Sequence, residues 1–185
     1  MKFFLAALLA TGAVYAENYV SYCDGEEVEV VGMIDKGTYR EAVKQLPICC
    51  VDVFLYDPLK QTYLMILRNT APGAGKWWLP GGRLFKGESF YDCAMRKCKQ
   101  EAGVEIVPLA QLGTTTTVFP DSAWGCQTHT VNTVVLAKVK DTDERPKTDS
   151  FHEDFAWRPL DAVPEDPYIR SAYEEALKWI RSPML

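Results

Sequence analysis

The stretch Trp77-Trp78-Leu79-Pro80-Gly81-Gly82-Arg83, together with the run that follows it to Gly103, decides the fold of this chain. Ser89 can accept a backbone hydrogen bond at the start of a helix, and Gly103 can adopt the left-handed conformation that ends one. The sequence therefore predicts a glycine turn that leads into a helix over residues 89–102.

The predicted helix carries one acidic residue on its apolar face. At about 100° per residue, Phe90, Ala94, Cys98 and Glu101 fall on roughly one stripe. A carboxylate on a face that packs against a core needs a partner. Helix geometry alone leaves two partners open, which are Lys97, one turn earlier, and a divalent cation.

Runs of apolar and β-prone residues on both sides of this region predict a sheet. The first two runs are joined by an Asp57-Pro58 turn and form a candidate hairpin. Asp52 is the polar exception within the first run, and taken alone it is typical of a solvent-facing strand residue or a satisfied buried polar group. The predicted strands cover residues 48–56, 62–68, 114–119, 130–138 and 155–157.

Two further helices complete the predicted fold. Thr38, with Glu41 three residues later, forms a capping-box pattern for a short helix over residues 38–45, which Pro47 ends. A face of apolar residues predicts a C-terminal helix over residues 167–180. Short strands, three helices and hairpins in place of regular β-α-β units predict an α+β fold in which helices sandwich a mixed sheet.

The first sixteen residues have the features of a secretory signal peptide. Lys2 gives a positive start, residues 3–14 are apolar, and Val14 and Ala16 are small residues at the cleavage positions. This apolar run is too short to span a bilayer, so we expect a secreted mature chain without a membrane segment. The predicted organisation is a signal peptide (1–16), an N-terminal extension (17–46) and one domain (47–185).

Charge and cysteine content argue against several classes of function. The chain has 20 basic and 25 acidic residues, so its bulk charge does not suggest a binder of nucleic acid or of anionic membranes. Six cysteines permit disulfides in an oxidising compartment, without indicating which pair. Cys93 and Cys98 project from different sides of the predicted helix and should not bridge each other, and no cysteine pair has zinc-type spacing with histidine.

The central run resembles the signature of the Nudix hydrolases. That signature places a glycine and a glutamate ahead of an arginine, a cluster of glutamates and a final glycine. Its positions are occupied at the right spacing by Gly82, Glu88, Arg96, Cys98, Glu101, Gly103 and Val104. Two positions depart from it, because Lys97 and Gln100 stand where the first two glutamates of the cluster belong. The resemblance implies the Nudix α/β/α sandwich with a mixed β-sheet.

Within that family, the chain is most similar to the GDP-mannose mannosyl hydrolases, which keep only the last glutamate of the cluster. Those enzymes displace at the sugar carbon instead of at phosphorus. The likeness covers residues 48–177 and includes Arg68-Asn69, the turn at residues 80–83 and the run from His152 to Trp157. Where that branch has a glutamine metal ligand, this chain has Phe151.

The resemblance implies a magnesium site next to a diphosphate site. One Mg²⁺ would take the Gly81 carbonyl oxygen and the Glu101 carboxylate, since hard cations prefer oxygen ligands. Arg83, with Arg68 and Arg96, would donate hydrogen bonds to the diphosphate of a small-molecule nucleotide substrate.

The resemblance also implies where the reaction takes place. His152 would be the general base that activates water against the anomeric carbon, and Arg83 would assist the departing diphosphate. Asp52 matches a family residue that contacts the substrate. A homodimer is compatible with the resemblance, and the sequence does not decide the oligomeric state.

Three functions are open on the sequence. The first is Mg²⁺-dependent hydrolysis of a nucleoside diphosphate sugar such as GDP-mannose. The second is hydrolysis at phosphorus of another diphosphate by a secreted effector, which Lys97 and Gln100 weaken. The third is ligand binding without catalysis. Product identity separates the first two functions, and turnover separates both from the third.

Overall fold

The computed structural model describes residue 29 and residues 31–120, 122–143, 146–147 and 152–182. The expected signal peptide, most of the extension before residue 31, Cys23 and Phe151 lie outside these described residues.

The described part of the chain forms three helices and seven strands, which confirms the predicted α+β class. Each predicted strand lies within an observed one. In chain order the elements are α1 (Lys36–Gln45), β1 (Ile48–Asp57), β2 (Thr62–Arg68), β3 (Trp77–Trp78), β4 (Gly81–Arg83), α2 (Phe90–Glu101), β5 (Ile106–Phe119), β6 (Thr128–Val139), β7 (His152–Pro159) and α3 (Pro167–Arg181).

The strands build one mixed sheet around β1. Strand β1 pairs in parallel with β6 and antiparallel with β2 and β4, so the expected hairpin of β1 and β2 is present. Strand β5 extends the sheet beyond β6, while β3 and β7 both pair with β2. The register sets Asp52 opposite Gly81 and Arg68 opposite His152, so adjacent strands carry four of the predicted site residues.

Alternate residues of β1 face two apolar cores, one on each side of the sheet. Phe54 and Tyr56 belong to the core that contains α3, whereas Val51, Val53 and Leu55 belong to the core that contains α2. This alternation is the period of two that a β-strand imposes on its side chains. Burial of each such side chain contributes about 1.5–3 kcal/mol. The sheet is therefore the middle layer of an α/β/α sandwich, as predicted.

Helix α2 begins and ends as the sequence predicts. The Ser89 hydroxyl accepts the backbone N–H of Asp92 at 3.0 Å. Gly103 follows the helix with a φ of +69°, a conformation that costs glycine less than any residue with a Cβ. These local signals place the end of α2, and with it Glu101, beside the glycine turn that forms β4.

Helix α1 begins earlier than predicted, and the expected capping box at Thr38 is wrong. The N-cap is Asp35, whose Oδ1 accepts the N–H groups of Gly37 at 2.9 Å and Thr38 at 3.0 Å. A carboxylate at this place satisfies the free N–H groups and also favours the positive end of the helix. Glu41, the expected second member of the box, pairs with Lys44 instead.

The cysteines within the described residues are free thiols, at positions 49, 50, 93, 98 and 126. The prediction that Cys93 and Cys98 do not bridge each other is confirmed. Burial raises the pKa of the Cys93 thiol to about 12. In the described part of the chain, none of the helices combines the length and the hydropathy that crossing a membrane requires.

Candidate functional site

A cleft of about 160 Å³ gathers residues from α1, from strands β1 to β6 and from two loops. Four of the predicted site residues line it, and they are Asp52, Arg68, Gly81 and Arg83. Its remaining walls are made by Tyr39, Cys50, Pro72, Gly73, Trp78, Gly82, Phe119, Trp124, Thr128, Thr130 and Asn132. The fold thus assembles most of the predicted site in one place.

Gly81 is required where β4 crosses Asp52 of β1. A Cβ at this position would lie 2.3 Å from Asp52 Oδ1 and 2.5 Å from the Val51 carbonyl oxygen. Both separations are well below van der Waals contact, so any larger residue would push the turn away from β1. The turn at residues 80–83 therefore depends on this glycine to approach the strand.

Asp52 is the buried polar centre of the cleft, with 4% of the residue exposed. Its Oδ2 accepts hydrogen bonds from Asn132 Nδ2 at 2.7 Å and from the Tyr168 hydroxyl at 2.5 Å. Burial raises the pKa of the Asp52 carboxyl, and the hydrogen bonds from Tyr168 and Asn132 oppose this rise. Asp52 is thus the satisfied buried polar group among the alternatives that its sequence left open.

Two further polar atoms of the cleft are buried without a hydrogen-bond partner among the described residues. They are Thr128 Oγ1 and Asn132 Oδ1, and both residues are less than a tenth exposed. A buried acceptor or donor without a partner costs about 1–3 kcal/mol. Both residues line the cleft, where a polar ligand would satisfy these atoms.

Arg68 and Arg83 bring two positive charges to the cleft. Arg68 Nε donates to the Pro72 carbonyl oxygen at 2.9 Å, which holds its guanidinium against the loop that precedes β3. Arg83 Nη2 donates to the Gly32 carbonyl oxygen at 3.2 Å. The Arg83 guanidinium also lies over the rings of Tyr39 and Phe85, at 4.9 Å and 5.0 Å from their centroids. Stacking of this kind positions a cation without neutralising it.

Aromatic side chains form the apolar walls of the cleft. The rings of Tyr39 and Trp124 meet edge to face at 5.1 Å, and those of Trp78 and Phe119 do so at 5.8 Å. Trp78 also stacks on Tyr168 at 5.1 Å. Flat apolar walls next to paired guanidinium groups suit a ligand that combines a planar ring with phosphate.

Glu101 lies behind the glycine turn and already has protein partners on both carboxylate oxygens. Its Oε2 accepts the N–H of Gly81 at 2.9 Å, and its Oε1 forms an ion pair with Lys97 Nζ. His152 Nε2 lies 4.0 Å from the same Oε2. The partner that helix geometry left open is therefore Lys97 in this structure.

This arrangement does not fit a resident magnesium ion. Gly81 and Glu101 meet as the resemblance implies, but the Lys97 ammonium and the Gly81 N–H already take the two oxygens of this carboxylate. Among the described residues, no group of three histidine, cysteine, aspartate or glutamate side chains is placed to hold a metal. Magnesium dependence therefore remains a prediction from the resemblance alone.

His152 is close to Glu101 but is not a residue of the cleft wall. Its side chain is 4% exposed, and its strand β7 pairs with β2 so that His152 lies opposite Arg68. The predicted base thus lies beside Gly81 and Glu101, although it follows Glu101 by about fifty residues in the sequence. The sequence alone could not show this proximity.

Arg96 joins two parts of the protein in this arrangement, and the substrate contact that the resemblance implies stays a prediction. Its Nε and Nη2 donate to the two carboxylate oxygens of Glu88 at 2.6 Å and 2.7 Å. Nη2 also donates to the Arg83 carbonyl oxygen at 3.0 Å, and the guanidinium lies 3.8 Å from the centroid of the Phe85 ring. Arg96 therefore fastens α2 to the loop before it.

Several residues that line the cleft or contact its walls are not predicted from the sequence. Asn132 had a weak signal, since it is polar within an apolar predicted strand. Tyr168 has no such signal, because it lies 116 residues from Asp52, on the predicted C-terminal helix. Tyr39 had none either, since α1 was assigned to an extension outside the predicted domain.

A larger cavity, of about 470 Å³, lies elsewhere between β2, β7 and the start of α3. Its walls include Tyr63, Trp77, Arg158 and Asp166, and none of the predicted site residues. Size alone would favour this cavity. The smaller cleft is the better candidate because charged, aromatic and unpaired buried polar groups converge on it.

Comparisons with known proteins agree with the fold. The NUDIX domain family matches residues 49–180. The chain is 32% identical over 76 residues to the low-salt glycan biosynthesis protein Agl8 of Haloferax volcanii, a match to 41% of this chain and 47% of that protein, less than half of its length.

Among solved structures, the MutT NUDIX hydrolase of Burkholderia pseudomallei has 27% identity and a TM-score of 0.58, over 71% of this chain and 98% of that one. The NUDIX domain of Shewanella oneidensis NrtR, solved with ADP ribose, has 21% identity and a TM-score of 0.56, over 80% and 99% of the two chains. The second likeness shows the fold alone. Since the family match covers more than half of its residues, this chain belongs to the NUDIX family, whose members include hydrolases.

Proposed function

We propose that this chain hydrolyses a nucleoside diphosphate sugar of the GDP-mannose type. The observation that carries the proposal is the place of His152, whose Nε2 lies 4.0 Å from Glu101 beside the cleft that holds Arg68 and Arg83. A candidate base and a candidate diphosphate site are therefore adjacent.

Each part of the cleft has a place in this reaction. The aromatic walls at Tyr39 and Trp124 would stack on the nucleobase. Arg68 and Arg83 would bind the diphosphate, since guanidinium groups suit paired hydrogen bonds to phosphate oxygens. Asp52, with Asn132, would accept or donate hydrogen bonds to the polar part of the ligand.

The proposed step is a displacement by water at the anomeric carbon. His152 accepts a proton as the water oxygen forms its bond to this carbon. The bond from the carbon to the phosphate oxygen breaks, and the nucleoside diphosphate leaves with the electron pair. Arg83 offsets the charge that develops on the leaving group. The products are a free sugar and a nucleoside diphosphate.

The partial likeness to Agl8 supports a substrate that carries a sugar, because that protein is described as acting in glycan biosynthesis. The likeness covers less than half of the length of Agl8, so the identity of the substrate stays part of the proposal.

The direct test is a panel of nucleotide sugars and dinucleotides, incubated with the purified chain in ¹⁸O-labelled water, with Mg²⁺ and separately with EDTA. We expect GDP-mannose or a related nucleotide sugar to give labelled sugar and unlabelled nucleoside diphosphate. Products of cleavage between the two phosphates would contradict the proposal and favour a phosphohydrolase.

The chain offers a matched control for the proposed base, since His129 is its only other histidine and is exposed. His152→Gln should lower kcat by about 10²-fold or more, the usual contribution of a general base. His129→Gln should keep the activity of the wild type. Equal activity of the two variants would exclude His152 as the base.

A second function, ligand binding without catalysis, is favoured by one observation. Lys97 neutralises Glu101, which is the remaining carboxylate of the signature cluster. Calorimetric binding of a nucleoside diphosphate, without turnover of any member of the panel, would establish this function in place of the first.

Export of the chain is proposed separately, from residues 1–16 alone. Expression with these residues in a secreting host should yield a protein in the medium whose N-terminus is Glu17. Retention of the intact N-terminus inside the cell would contradict it.

A further inference from the structure

A lysine side chain lies where the signature of the family places a metal-binding acid. Lys97 is one helical turn before Glu101 on α2, and its Nζ forms an ion pair with Glu101 Oε1. Only 16% of the Lys97 side chain is exposed, so this is not a solvated surface pair. The ammonium is therefore part of the structure that supports the cleft.

The glycine turn is shaped around this side chain. A Cβ on Gly82 would lie 2.9 Å from Lys97 Cε and 3.2 Å from Lys97 Nζ. Gly82 has a φ of +152° and lines the cleft. The backbone at Gly82 thus packs directly on the end of the lysine, which holds the ammonium next to the floor of the cleft.

The Lys97 ammonium is the cation that pairs with Glu101 in this structure. Glu101 is its carboxylate partner, and the other oxygen of Glu101 is bonded to the Gly81 N–H. Gln100, which replaces the second acid of the cluster, is neutral, and its Oε1 accepts from Arg96 Nη1 at 3.2 Å. A magnesium ion at Glu101 would have to displace Lys97 and would find one carboxylate.

We propose that the Lys97 ammonium takes the role of a metal ion, so that the chain binds the diphosphate of its ligand without a divalent cation. This inference rests on the proposed function for the identity of the ligand. An ammonium has three N–H donors, and one ion pair to Glu101 leaves donors for phosphate oxygens. Arg68 and Arg83 line the cleft, and the Lys97 ammonium lies against Gly82, which lines it too, so a third positive charge stands directly behind the cleft wall.

The first experiment uses a metal alone. Mn²⁺ is titrated into the purified wild-type chain and followed by electron paramagnetic resonance, with no nucleotide present. We expect no stoichiometric binding in the micromolar range. Binding of one Mn²⁺ that is lost in Glu101→Gln would overturn the inference, whatever the ligand of the cleft is.

The second experiment uses GDP and ADP as probes, by calorimetry in EDTA and again in Mg²⁺. We expect the same Kd in both buffers for the wild-type chain. Lys97→Met removes the charge and keeps an unbranched side chain, and it should raise the Kd about tenfold to a hundredfold, the loss expected for a charge-assisted hydrogen bond. Binding that needs Mg²⁺, or a Kd that Lys97→Met leaves unchanged, would overturn the inference.

Lys99→Met is the matched control, because Lys99 lies on the same helix and its side chain is 55% exposed. It should bind both probes like the wild-type chain. Far-ultraviolet circular dichroism verifies that each variant is folded. If Lys97→Met does not fold, the comparison of EDTA with Mg²⁺ on the wild-type chain decides the question without it.

The reverse substitution gives a gain of function. Lys97→Glu restores the acid of the signature next to Glu101, so we expect it to acquire Mn²⁺ binding without nucleotide and to lose GDP binding in EDTA. Failure of the wild-type chain to bind or cleave any nucleotide would refute the proposed function. The Mn²⁺ titrations of the wild-type chain and Lys97→Glu would still support or overturn the role of Lys97.

Discussion

Glu88→Gln should destabilise the chain, because Glu88 and Arg96 form a two-point ion pair that joins α2 to the loop before it. Arg96 donates to both oxygens of Glu88, at 2.6 Å and 2.7 Å, and the Glu88 side chain is 8% exposed. Hydrogen bonds to charged groups contribute about 1.5–3 kcal/mol each. Glutamine keeps one acceptor and loses the charge, so the free energy of unfolding should fall by about 2–3 kcal/mol at neutral pH. For a chain of this size, Tm should fall by about 4–12 °C.

The pH dependence of this loss follows from the pKa of Glu88. Burial is the largest influence and raises this pKa, but the hydrogen bonds from Arg96 and the Phe85 N–H, together with the charge of Arg96, outweigh it, and the net pKa lies below its ordinary value of 4.5. A carboxyl group with a lowered pKa stabilises the fold above its unfolded pKa, and this stabilisation is lost as the pH falls through the folded pKa. The difference between wild type and Glu88→Gln should therefore be full at pH 7 and shrink below about pH 4.5.

Urea unfolding at pH 7 and at several acidic pH values measures this difference. Glu105→Gln is the control, since Glu105 pairs with Lys140 at 2.9 Å but lies at the surface. It should unfold at the wild-type midpoint, because exposed ion pairs contribute little. A loss below about 0.5 kcal/mol in Glu88→Gln, or a loss that does not change with pH, would refute this account of the ion pair.

Three further predictions concern the cleft. Gly81→Ala should lower the free energy of unfolding by at least about 1–3 kcal/mol, because its Cβ would meet Asp52 and the Val51 carbonyl, and thermal unfolding would measure the loss. The Asp52 carboxyl, whose pKa burial raises, favours the fold at pH below its unfolded pKa, and this contribution declines as the pH rises through the folded pKa. Asp52→Asn should therefore remove this decline from a plot of the free energy of unfolding against pH. A plot that matches that of the wild-type chain would contradict the raised pKa. Tyr39→Leu should weaken GDP binding by about tenfold in calorimetry, the contribution of one stacked base, without changing Tm, and an unchanged Kd would exclude a stacking role.

Local signals explain which parts of the fold the sequence predicts. Ser89 and Gly103 act within one helical turn of the residues that they cap, so α2 is readable from neighbouring residues. The strands are predictable because β1 alternates between two buried faces and contains one polar residue, Asp52, ahead of its terminal Asp57. The start of α1 was missed because two cap residues, Asp35 and Thr38, compete within one short segment.

The site is only partly predictable, because its chemistry depends on contacts between distant residues. The same spacing that suggests a metal ligand at Glu101 also permits an ion pair to Lys97. The local sequence pattern does not show which of these two partners Glu101 has. The choice depends on whether further acids converge, which is a property of the folded chain. The contact from Tyr168 to Asp52 has no local signature at all.

Tyr39 contributes a cleft wall from helix α1, and this bears on how the selectivity of the cleft for ligands is set. The family match begins at residue 49, whereas α1 covers Lys36–Gln45 and so precedes the shared domain. Under the proposed function, recognition of the planar part of a ligand would belong in part to a helix that is not a strand of the sheet. Chains with the same domain and different leading segments would hold the same reactive groups yet prefer different ligands, so selectivity and chemistry can diverge independently in evolution.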